Sequence, residues 1–377
     1  MILFVLFVQN IANAQEIIPN ISARVDTSNV QVKKVYHLYK DYLNSRPDSI
    51  YRNPYWNDRE NEHNPNVGYF RVDRAAENMY SSMNAEKYHS YFKPKILQID
   101  LIESGRYLIK TIFSYNTSDT DYVKHSVPYI TRLYAVKNLN GDYKLENAIS
   151  FDTRKWKKYN YKYINYVVHP FCTFQKKEAK KAVKFIDDIA HKFDLKPEPF
   201  TYYILPNSDE LGKLYNFEYW TYYLTGQTNI PKREIFTSYG NENYPHEFVH
   251  ILFPLPKKGN SYCPTIINEG LATWLGGPGY NESFESALKE VSKKFKERDK
   301  ISIDDIINFE FRNQFDNSIL YVTGGAICQM VYKMHGKEGI WKLYNSTEDN
   351  VKEILSELFD KPYEEVEINV IDYIINY

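Results

Sequence analysis

Two histidines and a glutamate fall close together in the segment NYPHEFVHIL, residues 243–252. On an α-helix, His246 and His250 lie one turn apart on the same face, so both rings can direct a nitrogen at one zinc ion. Glu247 lies about a hundred degrees round the helix, where it can reach a water beside the ion and act as general base. The alternative is a pair of ordinary histidines on an apolar helix, and the motif alone leaves both interpretations open.

A third donor comes later in the chain. A catalytic zinc held by two histidines needs one more protein ligand and an open position. Glu269 follows His250 with eighteen residues between them, inside IINEGLATWLGG, residues 266–277, whose periodicity predicts a helix. A helical hairpin closed by the turn PLPKKGNSYCP would return Glu269 to the histidine pair. The alternative is a glutamate that stabilises a helix start through the dipole. We therefore expect one Zn²⁺ per chain, bound by His246, His250 and Glu269.

The order HExxH, eighteen residues, then the glutamate of an NEGxA segment is similar to the pattern of gluzincin (peptidase MA-like) zinc metallopeptidases. It most resembles the catalytic domain of the aminopeptidase N family, over roughly residues 234–345. In that family both histidines and the later glutamate bind zinc, and the HExxH glutamate is the base. The resemblance implies metal roles for His246, His250 and Glu269, a catalytic role for Glu247, and hydrolysis of peptide bonds by a zinc-activated water.

A tyrosine extends the resemblance. Aminopeptidase N relatives carry a YxKGA segment on a later helix, whose tyrosine stabilises the oxyanion of the tetrahedral intermediate. The segment YVTGGA, residues 321–326, occupies a similar place, so the resemblance implies that catalytic role for Tyr321, although Thr323 replaces the lysine. The relatives' GxMEN segment, which binds a free amino terminus, has no counterpart upstream of His246. Endopeptidase and exopeptidase activity both remain open.

Three classes of function fit these residues. The first is an active metallopeptidase. The second is a catalytically silent relative that binds partners through its N-terminal domain, and the third is a zinc hydrolase that acts on a non-peptide bond. All four residues of the zinc and base set are present, which favours the first class.

The elements that must position the site are predicted to form a catalytic domain over residues 158–377. Three short apolar segments, YINYVVHP, FTYYILP and REIFTSYG, read as strands, and residues 176–193 form an amphipathic helix. The metal helix must begin at about residue 244, because Pro245 is tolerated only in a first turn. From 264 onwards the chain looks almost wholly helical. The resemblance implies a thermolysin-like arrangement of a small sheet and a mostly helical C-terminal part.

An N-terminal α+β domain is expected over residues 22–157. Its expected elements are a helix within 24–50, a loop over 51–68, a short helix near 73–90 and two antiparallel hairpins with turns at 103–105 and 138–141. In element order this domain resembles the cone-shaped nuclear-transport-factor-like fold.

The first fourteen residues combine an apolar run with the A-x-A pattern at Ala12-Asn13-Ala14, as in a secretory signal peptide. A buried N-terminal strand is the alternative. The run is too short to span a bilayer, and export to the periplasm or the medium is expected.

The composition of the chain limits the classes of partner that we expect. The net charge of −1 argues against nucleic acid or an anionic membrane as the main partner. The resemblance to metallopeptidases implies a peptide or protein substrate. The three cysteines, Cys172, Cys263 and Cys328, share no CxxC spacing, so a cysteine zinc site is not expected. One disulfide with a free thiol, or three reduced thiols, are both compatible with this spacing.

Overall fold

The computed structural model describes residues 16–377 except 49–51, 64–70, 81–83, 116–128, 222, 255–262, 280, 298–300 and 308–317. The chain is a mixed α/β protein with two open sheets. It divides into two compact units, which comprise residues 1–152 with 212–221, and 153–211 with 222–377. The predicted signal peptide and most of the predicted turn PLPKKGNSYCP lie outside the described residues.

The first unit contains a six-stranded sheet, in the order β1-β2-β3-β4-β5 with β9 paired to β4. The strands are β1 (Asn20–Ile21), β2 (Phe92–Glu103), β3 (Arg106–Tyr115), β4 (Tyr129–Lys137), β5 (Tyr143–Glu146) and β9 (Phe217–Tyr219). All neighbours are antiparallel except β1, which runs parallel to β2. Gly105 has φ +75° in the two-residue connection between β2 and β3, where glycine relieves the strain of a left-handed conformation. Both predicted hairpins are therefore present.

The helices of this unit are α1 (Val30–Leu43), α2 (Asp58–His63), α3 (Ala76–Met79), α4 (Ala85–Tyr91) and α5 (Ala148–Asp152). Asn29 caps α1, and its side chain accepts hydrogen bonds from two backbone N–H groups of the first turn. The helix buries one apolar face on the sheet, as its periodicity predicted. The loop predicted over 51–68 contains α2, and the helix predicted near 73–90 is two short helices.

The second unit contains a five-stranded sheet in the order β10-β11-β8-β7-β6. Its strands are β6 (Lys157–Tyr161), β7 (Ile164–Val168), β8 (Phe200–Ile204), β10 (Gly226–Asn229) and β11 (Glu234–Thr237). The three central strands run parallel, and both edge strands are antiparallel to their neighbours. Helix α6 (Lys176–Phe193), which coincides with the predicted helix, connects β7 to β8 and buries Ala179, Ala182 and Ile186 on the sheet.

The remaining helices are α7 (Ser208–Leu214), in which the chain passes from the second unit to the first, and α8 (Pro245–Leu252), α9 (Thr265–Gly276), α10 (Phe284–Lys296), α11 (Ile303–Ile307), α12 (Ser318–Tyr344), α13 (Val351–Phe359) and α14 (Tyr363–Ile375). Gly336, with φ +63°, breaks α12. The C-terminal helices enclose one apolar cluster, so this part is as helical as the sequence predicted. Across the described ranges, no helix is both long and apolar enough to cross a bilayer.

Candidate metal centre

Helix α8 carries both histidines and is anchored on two sides. Pro245 is its first residue, where the missing N–H costs nothing. Phe248 packs into the apolar cluster on the sheet, and Val249 packs into the cluster of the C-terminal helices. His246 and His250 are therefore held on a buried helix, and their side chains are themselves buried.

Helix α9 packs closely against helix α8, with their backbones in near contact. A Cβ built on Gly276 would lie 2.5 Å from the backbone nitrogen of His246. At the other contact, α9 crosses α12, where a Cβ built on Gly270 would lie 2.2 Å from the carbonyl carbon of Gly324. Real Cβ atoms do not approach backbone so closely, so only glycine fits at these points. The residue next to Gly270 is Glu269, and this packing fixes its position.

Three side-chain atoms from α8 and α9 meet at one point. His246 Nε2 and His250 Nε2 lie 3.2 Å apart. Glu269 Oε2 lies 3.2 Å from His246 Nε2 and 3.5 Å from His250 Nε2. The structure thus brings together the three residues that the sequence predicted as ligands.

The distances between the three ligand atoms suit a cation with tetrahedral coordination. With bonds of about 2.05 Å at the tetrahedral angle, neighbouring zinc ligands lie about 3.3 Å apart. Two imidazoles and one carboxylate are also the donor set of a catalytic zinc. The residues present therefore fit one Zn²⁺ ion.

The contacts on the far side of the histidine rings determine which ring nitrogen is available to bind a metal ion. His246 Nδ1 lies 2.8 Å from the carbonyl oxygen of Gly277. A carbonyl only accepts, so Nδ1 carries the proton, and in the neutral ring Nε2 has a free lone pair directed at His250 and Glu269. The neighbouring Asn268 side chain contributes to raising the pKa of His250. Such outer contacts orient histidines that bind metals.

The charges at the meeting point favour a cation. Burial disfavours the charged imidazole of His250, yet the adjacent Glu269 carboxylate raises the pKa of His250 to about 9. Burial alone would raise the pKa of Glu269, but the adjacent His250 and His246 rings hold that pKa well below its usual range. Protons and a metal ion would compete for the same atoms.

The Glu247 side chain points to the edge of the sheet. It is buried, and the Thr228 hydroxyl donates a hydrogen bond of 2.6 Å to its Oε2. Gly226 lies alongside, since a Cβ there would be 2.9 Å from Glu247 Oε1. Edge strand β10 thus holds the carboxylate that the sequence assigned as the base.

Tyr321 lies beside the centre on α12. Its ring stacks on that of His246, with 6.0 Å between centroids and 25° between planes. A cavity of about 290 Å³ opens next to it, lined by Tyr321, Pro278, Ala287, Val291, Ser318 and two glutamates, Glu282 and Glu290. Tyr321 therefore contacts the His246 ring and also lines this cavity.

Sequence reasoning missed several supporting groups. The contacts of Thr228, Asn268 and Gly277 were not predicted. Asn268 could have been found from the sequence, because it directly precedes Glu269 in the NEG segment. The carbonyl of Gly277 could not, because every residue has a backbone carbonyl. Thr273, one helical turn after Glu269, is buried, and its hydroxyl forms no hydrogen bond within the described part of the chain. All three cysteines are free thiols.

No protein-family model matches the chain, and no curated protein matches it.

Proposed function

We propose that the protein is a zinc-dependent metallopeptidase of the gluzincin type. The observation that carries this proposal is the convergence of His246 Nε2, His250 Nε2 and Glu269 Oε2 within 3.5 Å of one another. The spacing of these residues, HExxH followed by eighteen residues and glutamate, supports the gluzincin assignment.

The residues of the chain divide the chemistry between them. A bound zinc ion would supply a Lewis acid that polarises the scissile carbonyl and acidifies water. Glu247 takes the proton of the attacking water and delivers it to the leaving amine. Tyr321 donates a hydrogen bond to the developing oxyanion, a contribution that is typically about two to three orders of magnitude in rate. Thr228 holds the Glu247 carboxylate in place.

The finer architecture follows the same proposal. The second unit would be the thermolysin-like catalytic domain, and the first unit a nuclear-transport-factor-like cone. The protein would act on peptides or proteins after export, once the leader of residues 1–14 is removed. The open choice between endopeptidase and exopeptidase activity remains part of the test.

Metal analysis with a peptide library tests the proposal. The purified protein should contain about one zinc per chain, and His246→Ala should contain none. Exposed His191 offers the matched control, because His191→Ala should keep the zinc. Glu247→Gln should keep the zinc and lose hydrolysis of the library. The same library with blocked amino termini distinguishes cleavage inside a chain from removal of terminal residues.

Other outcomes identify the alternatives. Zinc without cleavage of any peptide would favour a silent binding protein or a hydrolase of a non-peptide bond. Zinc that survives His246→Ala would mean that the three ligand atoms do not form the site, and the proposal would then be wrong.

A further inference from the structure

Basic residues are concentrated in one part of the second unit. Between residues 154 and 188 there are ten Lys and Arg against three Asp and Glu, a net charge of +7 in a chain whose total is −1. The three acidic residues of this segment already pair with lysines, Glu178 with Lys181, Asp187 with Lys162 and Asp188 with Lys184. The near-neutral total therefore conceals a strongly positive surface.

The fold gathers these charges beside edge strand β6. Helix α6 runs along this strand, because the rings of Tyr159 and Phe174 stack at 4.1 Å near its start and Lys162 pairs with Asp187 further along. Lys176 and Lys180 occupy the same stripe of the helix as Asp187, at helical spacing, so they project on the side of β6. We define the basic face as Lys155, Lys157, Lys176, Lys177 and Lys180. All five are exposed, and no carboxylate of the described residues pairs with them.

An aromatic side chain projects next to this face. Phe171, in the loop between β7 and α6, is 83% exposed. The loop is held by a hydrogen bond from the Phe171 backbone N–H to His169 Nδ1. The His169 ring contacts both Trp156 and Phe171, at centroid distances of 4.7 and 5.0 Å. Phe171 is therefore presented to solvent by a fixed loop adjoining Lys155 and Lys157.

We propose that the basic face and Phe171 dock the protein on the anionic headgroup surface of a lipid bilayer. Lysines near such a surface each strengthen binding, and an exposed aromatic ring inserts at the headgroup level. The face joins the exposed side of helix α6 to edge strand β6 and the neighbouring loop, so five exposed lysines and one aromatic ring are available to an anionic headgroup layer.

Two other roles for this surface are protection of a sheet edge and binding of nucleic acid. Each explains fewer of its features than binding to a bilayer does. Lysines on an edge strand discourage pairing with other strands, but three of the five lie on a helix, and an exposed phenylalanine works against solubility. Single-stranded nucleic acid is usually bound in a groove with several stacking aromatics. This face has one exposed ring and no such groove among its described residues.

Vesicle sedimentation with the full chain tests the proposal. At low salt, the protein should bind vesicles containing about 30% phosphatidylglycerol in phosphatidylcholine and should not bind pure phosphatidylcholine. The triple variant Lys157→Gln, Lys176→Gln, Lys180→Gln should lower the partition coefficient about a hundredfold, at roughly fivefold per lysine. Phe171→Ser should lower it severalfold. Circular dichroism melts establish that each variant folds.

The matched control carries the same loss of charge elsewhere. Lys289, Lys293 and Lys296 are exposed on α10, and their triple replacement by glutamine should change binding by less than about twofold. An equal loss of vesicle binding in this control would show that overall charge, not the basic face, determines binding, and would overturn the proposal. Failure to bind anionic vesicles would also overturn it. Tighter binding to a thymidine oligonucleotide, with Phe171→Ser neutral towards vesicles, would assign the face to nucleic acid instead. None of these measurements depends on zinc or peptidase activity.

Discussion

The Thr228 hydroxyl donates a hydrogen bond of 2.6 Å to Glu247 Oε2, and also contacts the backbone oxygen of Glu247 at 3.2 Å. One short edge strand thereby restrains the side chain that we propose as the base. A base must lie within hydrogen-bond reach of the proton that it removes, so this contact has a kinetic consequence.

Replacing Thr228 by valine should lower kcat about tenfold or more, because a hydrogen bond to a charged group is typically worth about 1.5–3 kcal/mol. KM and zinc content should stay close to their original values, since no ligand is touched. Steady-state kinetics with metal analysis measures both. Thr228→Ser keeps a hydroxyl and should restore most of kcat; equal losses in the two variants would argue that the methyl group, not the hydroxyl, matters.

Gly270→Ala should disrupt the crossing of α9 and α12. The new methyl group would lie 2.2 Å from backbone of Gly324, and overpacking of this kind costs about 3 kcal/mol. Zinc affinity should fall with stability, because Glu269 is the adjacent residue. Thermal unfolding of the zinc-loaded protein measures the effect.

Gly279 provides the control for this substitution. A Cβ there meets no atom within 4 Å, so Gly279→Ala should leave the melting temperature nearly unchanged. Equal effects of the two alanines would show that the contact between the helices is unimportant.

Removal of zinc should destabilise the protein. The ion would connect α8 to α9, and a ligand at a hundred times its Kd stabilises the folded state by about 2.7 kcal/mol. For a protein of this size, we expect chelation to lower the melting temperature by about 3–4 °C. Calorimetry before and after chelation, and after zinc is restored, measures the shift. His250→Ala should melt at the same temperature with and without chelator; a shift in that variant would point to another metal site.

The first unit should lose stability in mild acid through His89. This ring is buried, and burial, with the charge of Lys93, lowers its pKa to about 4, below the value of about 6.5 in an unfolded chain. The folded state thus favours the neutral ring. Its contribution is complete above pH 6.5 and is lost as pH falls towards 4, by up to about 3 kcal/mol.

Urea unfolding at pH 7.5 and 4.5 measures that loss. His89→Gln cannot titrate, so its stability should fall less between the two values than that of the wild type. His37→Gln, at an exposed position of α1, should behave as the wild type does. The same decrease in all three proteins would exclude His89 as the cause.

Local spacing made much of the site predictable. Helical periodicity places His246 and His250 on one face whatever surrounds them, and α6 was predicted residue for residue because its apolar stripe is regular. The contact of Thr228 with Glu247 was not predictable, because it joins a four-residue strand, GQTN, to a helix nineteen residues away, and that strand lacks apolar alternation. The basic, tyrosine-rich segment 154–163 follows directly on the unit boundary at residue 152 and contains edge strand β6.

Asn216 illustrates a second limit of the sequence. It is fully buried with φ +65°, donates hydrogen bonds to Asp73 and Asn147, and accepts one from the backbone of Ala148. These partners lie about seventy and more positions earlier in the chain, and neither its residue type nor its neighbours indicate them. A network of this kind depends on the assembled fold, not on any local pattern.

The excursion of residues 212–221 into the first unit has a practical consequence for dissecting the molecule. The backbone passes between the units three times, after residues 152, 211 and 221. After one proteolytic cut at 152, the two pieces would still be joined by the pairing of β9 with β4. A fragment starting at residue 153 would retain β9 and lose β4, the strand with which β9 pairs. Transferring the second unit to another protein therefore requires a linker in place of residues 212–221, and recombination that exchanges contiguous halves of the chain would interrupt both units.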